Sequence, residues 1–309
     1  HFLSHKDQQV TRRFYHDVND KEGIRSNSIY SLLIDDRGAV WVGHFQAGLD
    51  YSLYQNGLFR TYDYPPLFNS ANLSIRSFVN KGQEKVIGSR DGLFYINEAT
   101  GVVKSFVKPV LTSDLILTIC FYQGEYYIGT YGGGMMVLNP ETLSLKYFAQ
   151  GDTELFQKGH IFCVKPDAKG NLWIGTSQGL FSYNGQTKQI KSFTSANSQL
   201  PEGNVYEVSF DSTGKGWIAT ETGMCIYDPA SQSLRSNVFP EGFVNKDKVR
   251  TIYEDAEHNL YFIREKGSLF TSTLTMDRFQ NRSIFSTLPD NSLMSVIEDN
   301  QGWLWVACN

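Results

Sequence analysis

The sequence predicts an all-β protein, a β-propeller made of four-stranded antiparallel blades. A short phrase with a large, an aliphatic and a small residue returns seven times, at intervals of 45, 41, 46, 44, 44 and 44 residues. A period of about 40–45 residues with strand-like content is typical of a propeller blade. The chain also holds 17 tyrosines and 21 phenylalanines, which favour sheet over helix. No apolar pattern of period 3.6 lasts long enough to predict a helix.

The repeated phrase is clear in five copies and degraded in two. The clear copies are Trp41-Val42-Gly43, Tyr127-Ile128-Gly129, Trp173-Ile174-Gly175, Trp217-Ile218-Ala219 and Trp305-Val306-Ala307. The degraded copies are Val86-Ile87-Gly88 and Tyr261-Phe262-Ile263. We interpret the first residue of each copy, the anchor, as a ring that packs between adjacent sheets. Glycine in the third place would permit close approach or a positive φ.

The fourth repeat shows the four strands of a blade most clearly. We expect strands at 161–164, 172–175, 180–183 and 190–193, separated by turns at Asp167-Ala168-Lys169-Gly170 and Asn184-Gly185. The first turn suits a hairpin, because aspartate can bond its own backbone and glycine accepts positive φ. The turns lack the alternating acidic residues of a calcium loop.

The same turn signals recur in the other repeats. An aspartate stands six residues before the anchor at Asp35, Asp167, Asp211, Asp255 and Asp299. A glycine stands three residues before it at Gly38, Gly124, Gly170, Gly214 and Gly302. Both are absent from the second repeat, and His258 replaces the glycine of the sixth.

Both ends of the chain fall inside a repeat, and we predict that they complete each other. Six whole repeats precede residues 291–309, which supply the first two strands of a seventh. Residues 1–5 align with a third strand and residues 10–16 with a fourth. The sequence thus predicts one seven-bladed domain, 1–309, whose last blade is split between the termini. Its blades are expected at about 26–66, 70–109, 112–152, 156–198, 200–242, 244–285, and 289–309 completed by 1–20.

Composition excludes several classes of function. The net charge is −4 and neither sign forms a block, so no electrostatic feature indicates binding to nucleic acid or to an anionic membrane. The longest strongly apolar stretch, near residues 115–121, is too short to span a bilayer. We expect the four widely spaced cysteines to be small buried residues. Because the chain opens on His1 without a signal-peptide pattern, we expect a fragment of a longer protein.

The sequence carries no recognisable catalytic, metal or cofactor motif. Nucleophile and zinc signatures are absent, and the six histidines are scattered. The only triple glycine, at residues 132–134, follows a predicted strand but precedes no helix, which a phosphate-binding loop requires. We therefore predict no cofactor, no metal and no enzymatic activity in this chain.

Ligand-binding residues are expected where the repeats differ. In a four-stranded blade, the loop between the second and third strands lies on the same face as the loop that joins the blades. Such variable loops are where a repeat scaffold carries specificity. Aromatic rings beside planar polar groups there suit a sugar, although ordinary loop polarity would explain them too. The candidates are Phe45, Arg90, Asp114, Tyr131, His160, Gln178, Glu221 and Arg264.

The repeats resemble the two-component regulator propeller family. That resemblance rests on residues 171–184 (NLWIGTSQGLFSYN), on residues 26–29 with 36–43, and on residues 301–306. Val86, Tyr261 and His258 depart from the pattern.

The resemblance implies a periplasmic sensor region of a hybrid two-component regulator, of the sort common in Bacteroidetes, which detects an oligosaccharide. It also implies a neighbouring propeller and an immunoglobulin-like domain in the same parent chain, and a homodimeric parent. From the charge, we expect this domain to bind no nucleic acid. A propeller enzyme acting on polysaccharide, a lyase or glycosidase, stays open. Such an enzyme would need converging acids or a His–Tyr pair on the variable face. A protein-interaction scaffold is the third possibility.

Overall fold

The protein is described by a computed structural model that covers residues 2–4, 10–52, 58–62, 73–148, 153–236, 248–264, 269–273, 279–282 and 293–308. In these residues, 28 strands form seven four-stranded antiparallel sheets. The predicted all-β propeller with four-stranded antiparallel blades is confirmed.

Four strand types recur through the chain. The first strands are β3 (Ile29–Ile34), β7 (Ile75–Lys81), β11 (Ile116–Tyr122), β15 (Ile161–Pro166), β19 (Val205–Phe210), β23 (Val249–Glu254) and β27 (Leu293–Glu298). The second strands are β4 (Val40–His44), β8 (Glu84–Ser89), β12 (Glu125–Thr130), β16 (Asn171–Thr176), β20 (Gly216–Thr220), β24 (Asn259–Arg264) and β28 (Trp303–Cys308). The third strands are β5 (Leu49–Ser52), β9 (Leu93–Asn97), β13 (Met135–Leu138), β17 (Gly179–Asn184), β21 (Met224–Asp228), β25 (Leu269–Thr273) and β1 (Phe2–Ser4). The fourth strands are β6 (Phe59–Thr61), β10 (Val102–Phe106), β14 (Leu145–Tyr147), β18 (Ile190–Phe193), β22 (Ser233–Arg235), β26 (Phe279–Arg282) and β2 (Val10–Arg12).

Six sheets, numbered 1 to 6 in chain order from β3 to β26, each use four consecutive strands. The remaining sheet, here called the terminal sheet, joins β27 and β28 to β1 and β2. Its two halves meet where Phe2 pairs with Trp305 and Ser4 with Trp303, so the predicted pairing between the chain ends is present. First strands of successive sheets contact each other, and β27 contacts β3. The first strands therefore lie nearest the propeller axis.

One short helix, α1 (Thr153–Lys158), lies between sheets 3 and 4 and departs from the expectation of strands alone. It holds Leu155 and Phe156, which are buried. Glu154 in its first turn and Lys158 in its last turn complement the helix dipole. Six residues are too few to leave a periodic signal in the sequence, so it could not be predicted.

In the five sheets whose first turn carries an aspartate, the carboxylate of that residue holds the anchor ring. In sheet 4, Asp167 Oδ1 accepts the backbone N–H groups of Lys169 at 2.9 Å and Asn171 at 2.8 Å. Its other oxygen, Oδ2, accepts the indole N–H of Trp173 at 2.9 Å. The predicted hairpin turn is thus confirmed, and the carboxylate also satisfies the polar end of the buried ring.

The same bond closes the other turns that carry the aspartate. The indoles of Trp41, Trp217 and Trp305 donate to Asp35, Asp211 and Asp299 at 3.0, 2.8 and 2.8 Å. In sheet 6 the hydroxyl of Tyr261 donates to Asp255 at 2.9 Å. A tyrosine hydroxyl therefore replaces the indole N–H, which explains why this degraded copy keeps its aspartate.

The anchor rings pack between neighbouring sheets, as the sequence predicts. Trp173 is 1% exposed. Its ring stacks on Phe193 of its own sheet at 5.6 Å and meets Tyr227 of sheet 5 at 4.5 Å. Two residues on, a Cβ at Gly175 would lie 2.7 Å from the carbonyl oxygen of Val205 in sheet 5. Glycine is needed at this point because the next sheet approaches so closely.

The outer edges of sheets 1 to 5 carry exposed charges. Exposed cations stand on five of the fourth strands, at Arg60, Lys104, Lys146, Lys191 and Arg235. Lys104 and Lys191 also donate to backbone oxygens of the next sheet, those of Leu143 and Gln232, each at 3.4 Å. Charged side chains on edge strands discourage pairing with a second molecule.

The cysteines are structural. Cys120, Cys163 and Cys225 are buried within strands, as expected, and Cys308 is half-buried. Burial raises the pKa of the Cys225 thiol to about 12, which keeps it protonated and poorly reactive near neutral pH.

Replacement of an anchor carboxylate is expected to destabilise the protein. We expect Asp35→Ala to lower the free energy of unfolding by about 1–3 kcal/mol, because the buried Trp41 indole and the Ala39 N–H lose their acceptor. The neighbouring Asp36 is exposed, so Asp36→Ala is the matched control and should change stability by less than about 0.5 kcal/mol. Urea unfolding of both variants measures the difference; equal effects would contradict the assignment.

The pH dependence of the same pair gives a second readout. Burial alone would raise the pKa of Asp35, but hydrogen bonds from Trp41, Ala39 and Arg37 outweigh it and lower the pKa below its ordinary value. A depressed carboxyl pKa stabilises the fold above the unfolded-state value and loses that contribution as pH falls through the folded value. The stability gap between Asp35→Ala and the parent protein should therefore narrow as pH falls below about 4.

Candidate functional site

The face that carries the loops between second and third strands is built by one recurring backbone bond. The residue four places after the anchor donates its N–H to the carbonyl of the residue just before the first strand of the same sheet. The bonded pairs are Phe45 with Ser28, Arg90 with Ser74, Tyr131 with Leu115, Ser177 with His160, and Glu221 with Asn204, at 2.9–3.1 Å. This bond holds the two variable positions side by side in sheets 1 to 5. We call this side of the propeller the variable face.

Four of the predicted site residues occupy that one repeat position. Arg90 and Glu221 are exposed, Phe45 is half-buried, and Tyr131 is 50% exposed. Gln178, one residue further along, is also exposed, and its N–H donates to Thr176 Oγ1 at 3.0 Å. These side chains are available to a ligand on the variable face.

The two predicted residues that precede first strands lie on the same face. His160 is half-buried directly before β15. Asp114 is half-buried, and its carboxylate accepts the N–H of Lys108 at 2.7 Å. Asp114 thus already shapes the loop between sheets 2 and 3.

Arg264 is placed differently from the other candidates. It ends β24 and is only 5% exposed. The equivalent residues Thr176 and Thr220 are buried and donate their hydroxyls to the carbonyls of Gly179 and Gly223, which closes the loop. This position favours a structural role for Arg264.

The structure brings two of the predicted residues into direct contact. The rings of Tyr131 and His160 lie 4.0 Å apart and 32° from parallel. Phe162 follows at 6.1 Å from His160, and Tyr206 lies 4.9 Å from Phe162. These four rings, here called the aromatic arc, run from sheet 3 through sheet 4 to sheet 5.

The arc ends in polar groups. Asn204 donates its amide to the Tyr206 hydroxyl at 3.0 Å. Lys248 Nζ lies 4.1 Å from the centroid of the Tyr206 ring. A second, smaller group lies in sheets 1 and 2, where Tyr30 meets Phe45 at 5.2 Å and the Arg76 guanidinium lies 4.9 Å from the Tyr30 ring.

Sequence reasoning missed a whole set of residues on this face. In every sheet the register between first and second strands shifts around the second residue of the first strand, which is skipped in the pairing. These residues, here called the bulge residues, are Tyr30, Arg76, Leu117, Phe162, Tyr206, Arg250 and Met294. All seven are half-buried. A β-bulge changes the direction of the skipped side chain. Each bulge lies at the start of a first strand, and the first strands are the ones nearest the axis.

Beneath the bulge residues lies an ion pair of the innermost strands. Lys165 Nζ of β15 and Glu207 Oε1 of β19 are 3.8 Å apart. The Glu207 carboxylate raises the pKa of Lys165. Burial raises the pKa of Glu207, and Lys165 offsets part of that rise.

A groove of the described residues lies on the other side of the propeller. A groove of about 730 Å³ separates sheets 4 and 5 on the opposite face and is lined by Asp167, Asn184 and Tyr227 among others. Two of its polar groups already bond within the turns. The Asp167 carboxylate accepts four hydrogen bonds, and the side-chain oxygen of Asn184 accepts the N–H groups of Gln186 at 3.1 Å and Thr187 at 2.9 Å. On the variable face, by contrast, backbone bonds hold the loops and side chains such as Arg90 and Tyr131 are exposed.

The variable face can hold a polar ligand that has apolar faces. Aromatic rings cover C–H surfaces, while amide, guanidinium and ammonium groups bond hydroxyl or anionic oxygens. Within the described ranges, no three metal-ligating side chains cluster closely enough to bind an ion. Of the helices in the described residues, none has the length and apolar content needed to cross a membrane.

Comparison with solved structures gives the same fold. The extracellular domain of BT4673 from B. thetaiotaomicron, described as a hybrid two component system, matches with a TM-score of 0.75 and 16% identity over 96% of this chain and 38% of that chain. The corresponding domain of BT3049 matches with a TM-score of 0.63 and 22% identity over 96% and 46%. YCF48 bound to D1 peptide matches with a TM-score of 0.65 and 12% identity over 92% of both chains.

These likenesses establish the fold alone, and the chain spans less than half the length of the two hybrid-system structures. No curated protein matches the chain. A family model described as two component regulator propeller matches residues 23–46, 156–178 and 287–309. Each of these segments contains one anchor, Trp41, Trp173 or Trp305. The matches fall where the sequence resembles the family. These three segments of the chain are therefore similar to the repeat of the two-component regulator propeller family.

Proposed function

We propose that this chain is a non-catalytic, extracytoplasmic ligand-sensing propeller of a hybrid two-component regulator, and that its ligand is an oligosaccharide. The aromatic arc is the observation that carries the ligand class. Four rings cross three successive sheets within ring-to-ring distances of 4.0–6.1 Å. An elongated series of rings suits a chain of sugar units better than a single small molecule.

The sensor role is supported by the repeat family and by the architecture of the neighbouring structures. A ligand on the variable face would shift the parent protein between signalling states only through a difference in its affinity for them. We place the domain in the periplasm, beside a second propeller and an immunoglobulin-like domain of a homodimeric parent. These partners follow from the family resemblance and extend the proposal beyond this chain.

We further propose that the seven sheets form one closed domain, with the terminal sheet as the split seventh blade. Contact between β27 and β3, together with pairing of β1 with β28, supports closure. The ring of Phe14 stacks 5.7 Å from Trp305 and lies 5.0 Å from Phe59 of sheet 1. In a closed ring, the fourth strand is the only strand of each sheet with an unpaired edge at the outside.

A polysaccharide lyase is the second candidate, and one observation favours it. Tyr131 and His160 form the kind of His–Tyr pair that such an enzyme would use on the variable face. Formation of unsaturated sugar products would support the lyase, and its loss in His160→Ala would assign the pair. The two rings suit a binding surface equally well. A binding surface does not need the Tyr131 hydroxyl and a ring nitrogen of His160 to converge on one point, as an enzyme would.

Loss of an arc ring should weaken oligosaccharide binding. In a thermal-shift screen of oligosaccharides, at least one should raise the melting temperature. For that sugar, we expect Tyr131→Ala to raise Kd roughly tenfold, because an aromatic surface is lost. Isothermal titration measures the change.

Tyr147 provides the matched control for this prediction. It is 47% exposed, in the same sheet as Tyr131 but on the outer strand β14. Tyr147→Ala should leave Kd unchanged. If no oligosaccharide binds, or if both variants weaken binding equally, the proposed site is wrong.

Removal of the N-terminal strands should open the propeller. We expect deletion of residues 1–20 to lower the melting temperature and cause self-association, because β28 then becomes an unprotected edge. Calorimetry and light scattering measure both effects. A circular permutant that starts at residue 21 and carries residues 1–20 after residue 309 through a flexible linker should keep the parent melting temperature. A deletion variant as stable and monomeric as the parent protein would contradict closure.

A further inference from the structure

We infer that the loop with the triple glycine is a preformed support that holds Tyr131 against His160 before a ligand binds. This glycine loop comprises residues 131–134, between β12 and β13. The inference deepens the proposed function and rests on it, because the two rings begin the aromatic arc. It makes Gly132 and Gly134 positioning residues of the proposed oligosaccharide site.

The glycine loop is one residue longer than the corresponding loop of sheet 5. There, Thr220 donates its N–H to the carbonyl oxygen of Gly223, three places later. In sheet 3 the same bond runs from Thr130 to Gly134, four places later, at 3.0 Å. Inside the longer loop Gly132 has φ +77°, a conformation that glycine adopts at little cost. The loop therefore needs glycine directly after the residue that carries the tyrosine ring.

The segment between sheets 2 and 3 holds the glycine loop from one side. The hydroxyl of Ser113 donates to the carbonyl oxygen of Tyr131 at 2.8 Å. The hydroxyl of Thr112 donates to the carbonyl oxygen of Gly133 at 2.6 Å. Tyr131 also donates its own N–H to the carbonyl oxygen of Leu115 at 3.0 Å. Because both backbone polar groups of Tyr131 are bonded, the backbone that carries this ring is fixed.

The helix α1 holds the glycine loop from the other side. Gly134 donates its N–H to the carbonyl oxygen of Gly159, directly after the helix, at 2.9 Å. A Cβ at Gly134 would overlap the carbonyl oxygen of Phe156, so only glycine lets the helix approach the loop this closely. His160 follows Gly159 in the chain. The same contact therefore sets the distance between the two residues that carry the rings.

Within the described residues, ring contacts orient the imidazole of His160. Its Nδ1 is buried and has no hydrogen-bond partner there, while the rings of Tyr131 and Phe162 lie 4.0 and 6.1 Å away. Gly132 leaves space for the imidazole, because a Cβ built on it would already lie 3.7 Å from Cε1 of His160. A larger side chain at this position would strike the ring. A change in the glycine loop therefore displaces both rings.

A ring pair that is fixed before binding favours affinity. Ordering loops and side chains during association costs free energy, and here the backbone bonds order them during folding. The 4.0 Å between the centroids of Tyr131 and His160 leaves no room for a sugar between the rings, since van der Waals contact needs about 3.5–4.0 Å on each side of it. A sugar at this end of the arc therefore lies on the outer face of Tyr131.

NMR of the full chain with labelled histidine tests the ring pair without a ligand, at one pH. The ring current of Tyr131 should shift the Hε1 resonance of His160 upfield, and the shift should disappear in Tyr131→Ala. The spectrum of His160→Gln assigns the resonance. Gly132→Val should also remove the shift, because the valine strikes the imidazole. Gly124→Val is the matched control: Gly124 has φ +86° in a turn of the same sheet, and a Cβ there meets nothing within 4 Å.

Isothermal titration with cellotetraose, xylotetraose, maltotetraose and mannotetraose tests the role in binding. For a tetrasaccharide that binds, Gly132→Val should raise Kd roughly tenfold. Gly124→Val should leave Kd unchanged, although both variants should lower the melting temperature, because valine is strained at positive φ. Ser113→Ala, which removes the bond to the carbonyl oxygen of Tyr131, should raise Kd at least roughly threefold. It decides the outcome if Gly132→Val does not fold.

Three results would overturn the inference: no upfield shift of His160 in the ligand-free parent protein, an unchanged shift in folded Gly132→Val, or equal changes of Kd in Gly132→Val and Gly124→Val. If sugars bind the parent protein and the loop variants equally well, the proposed function stands and only the inference fails. If the ring pair behaves as expected but no oligosaccharide of this set or of the wider screen binds, the proposed function fails, and the role of the loop in binding fails with it.

Discussion

In five of the seven sheets, the hydrogen bond between an aspartate and the ring of its anchor is the constraint on which the blade depends. A tryptophan buried between sheets must satisfy its N–H, and Asp167 does so while its other oxygen closes the turn. One carboxylate therefore couples turn geometry, ring orientation and the spacing of adjacent sheets. Sheet 6 keeps the same arrangement with Tyr261 in place of tryptophan. Wherever the turn keeps its aspartate, the bond to the anchor ring is kept, even where the ring is not tryptophan.

This constraint divides the propeller into two unlike faces. On the turn face, polar side chains such as Asp167 and Asn184 are occupied by bonds within the repeat. On the variable face, backbone bonds hold the loops, so the side chains at the same positions are free to differ between sheets. The residue four places after the anchor differs between sheets, as in Arg90, Tyr131 and Glu221. These residues share only the backbone hydrogen bond to the residue before the first strand. A scaffold fixed by backbone and buried groups can thus change its ligand without loss of stability.

Most of the fold could be predicted from the sequence, because the features that build it recur. The strands of sheet 4 lie within two residues of their expected bounds, and β1 pairs with β28 as expected. The site was predicted in part. The contact of Tyr131 with His160 depends on how sheets 3 and 4 pack. The bulge positions, Arg76 among them, arise from strand register, and no residue type marks them. The sequence predicts a loop at Arg264, but β24 extends to this residue.

A double-mutant cycle on Asp167 and Trp173 tests the central constraint most directly. The variants Asp167→Ala, Trp173→Phe and their combination are compared with the parent protein by urea unfolding. If the carboxylate and the indole act as one unit, the coupling free energy should be about 1–3 kcal/mol. The second substitution should then cost much less in the background of the first. Additive losses, with a coupling near zero, would show that ring packing and turn closure are independent and would contradict the account.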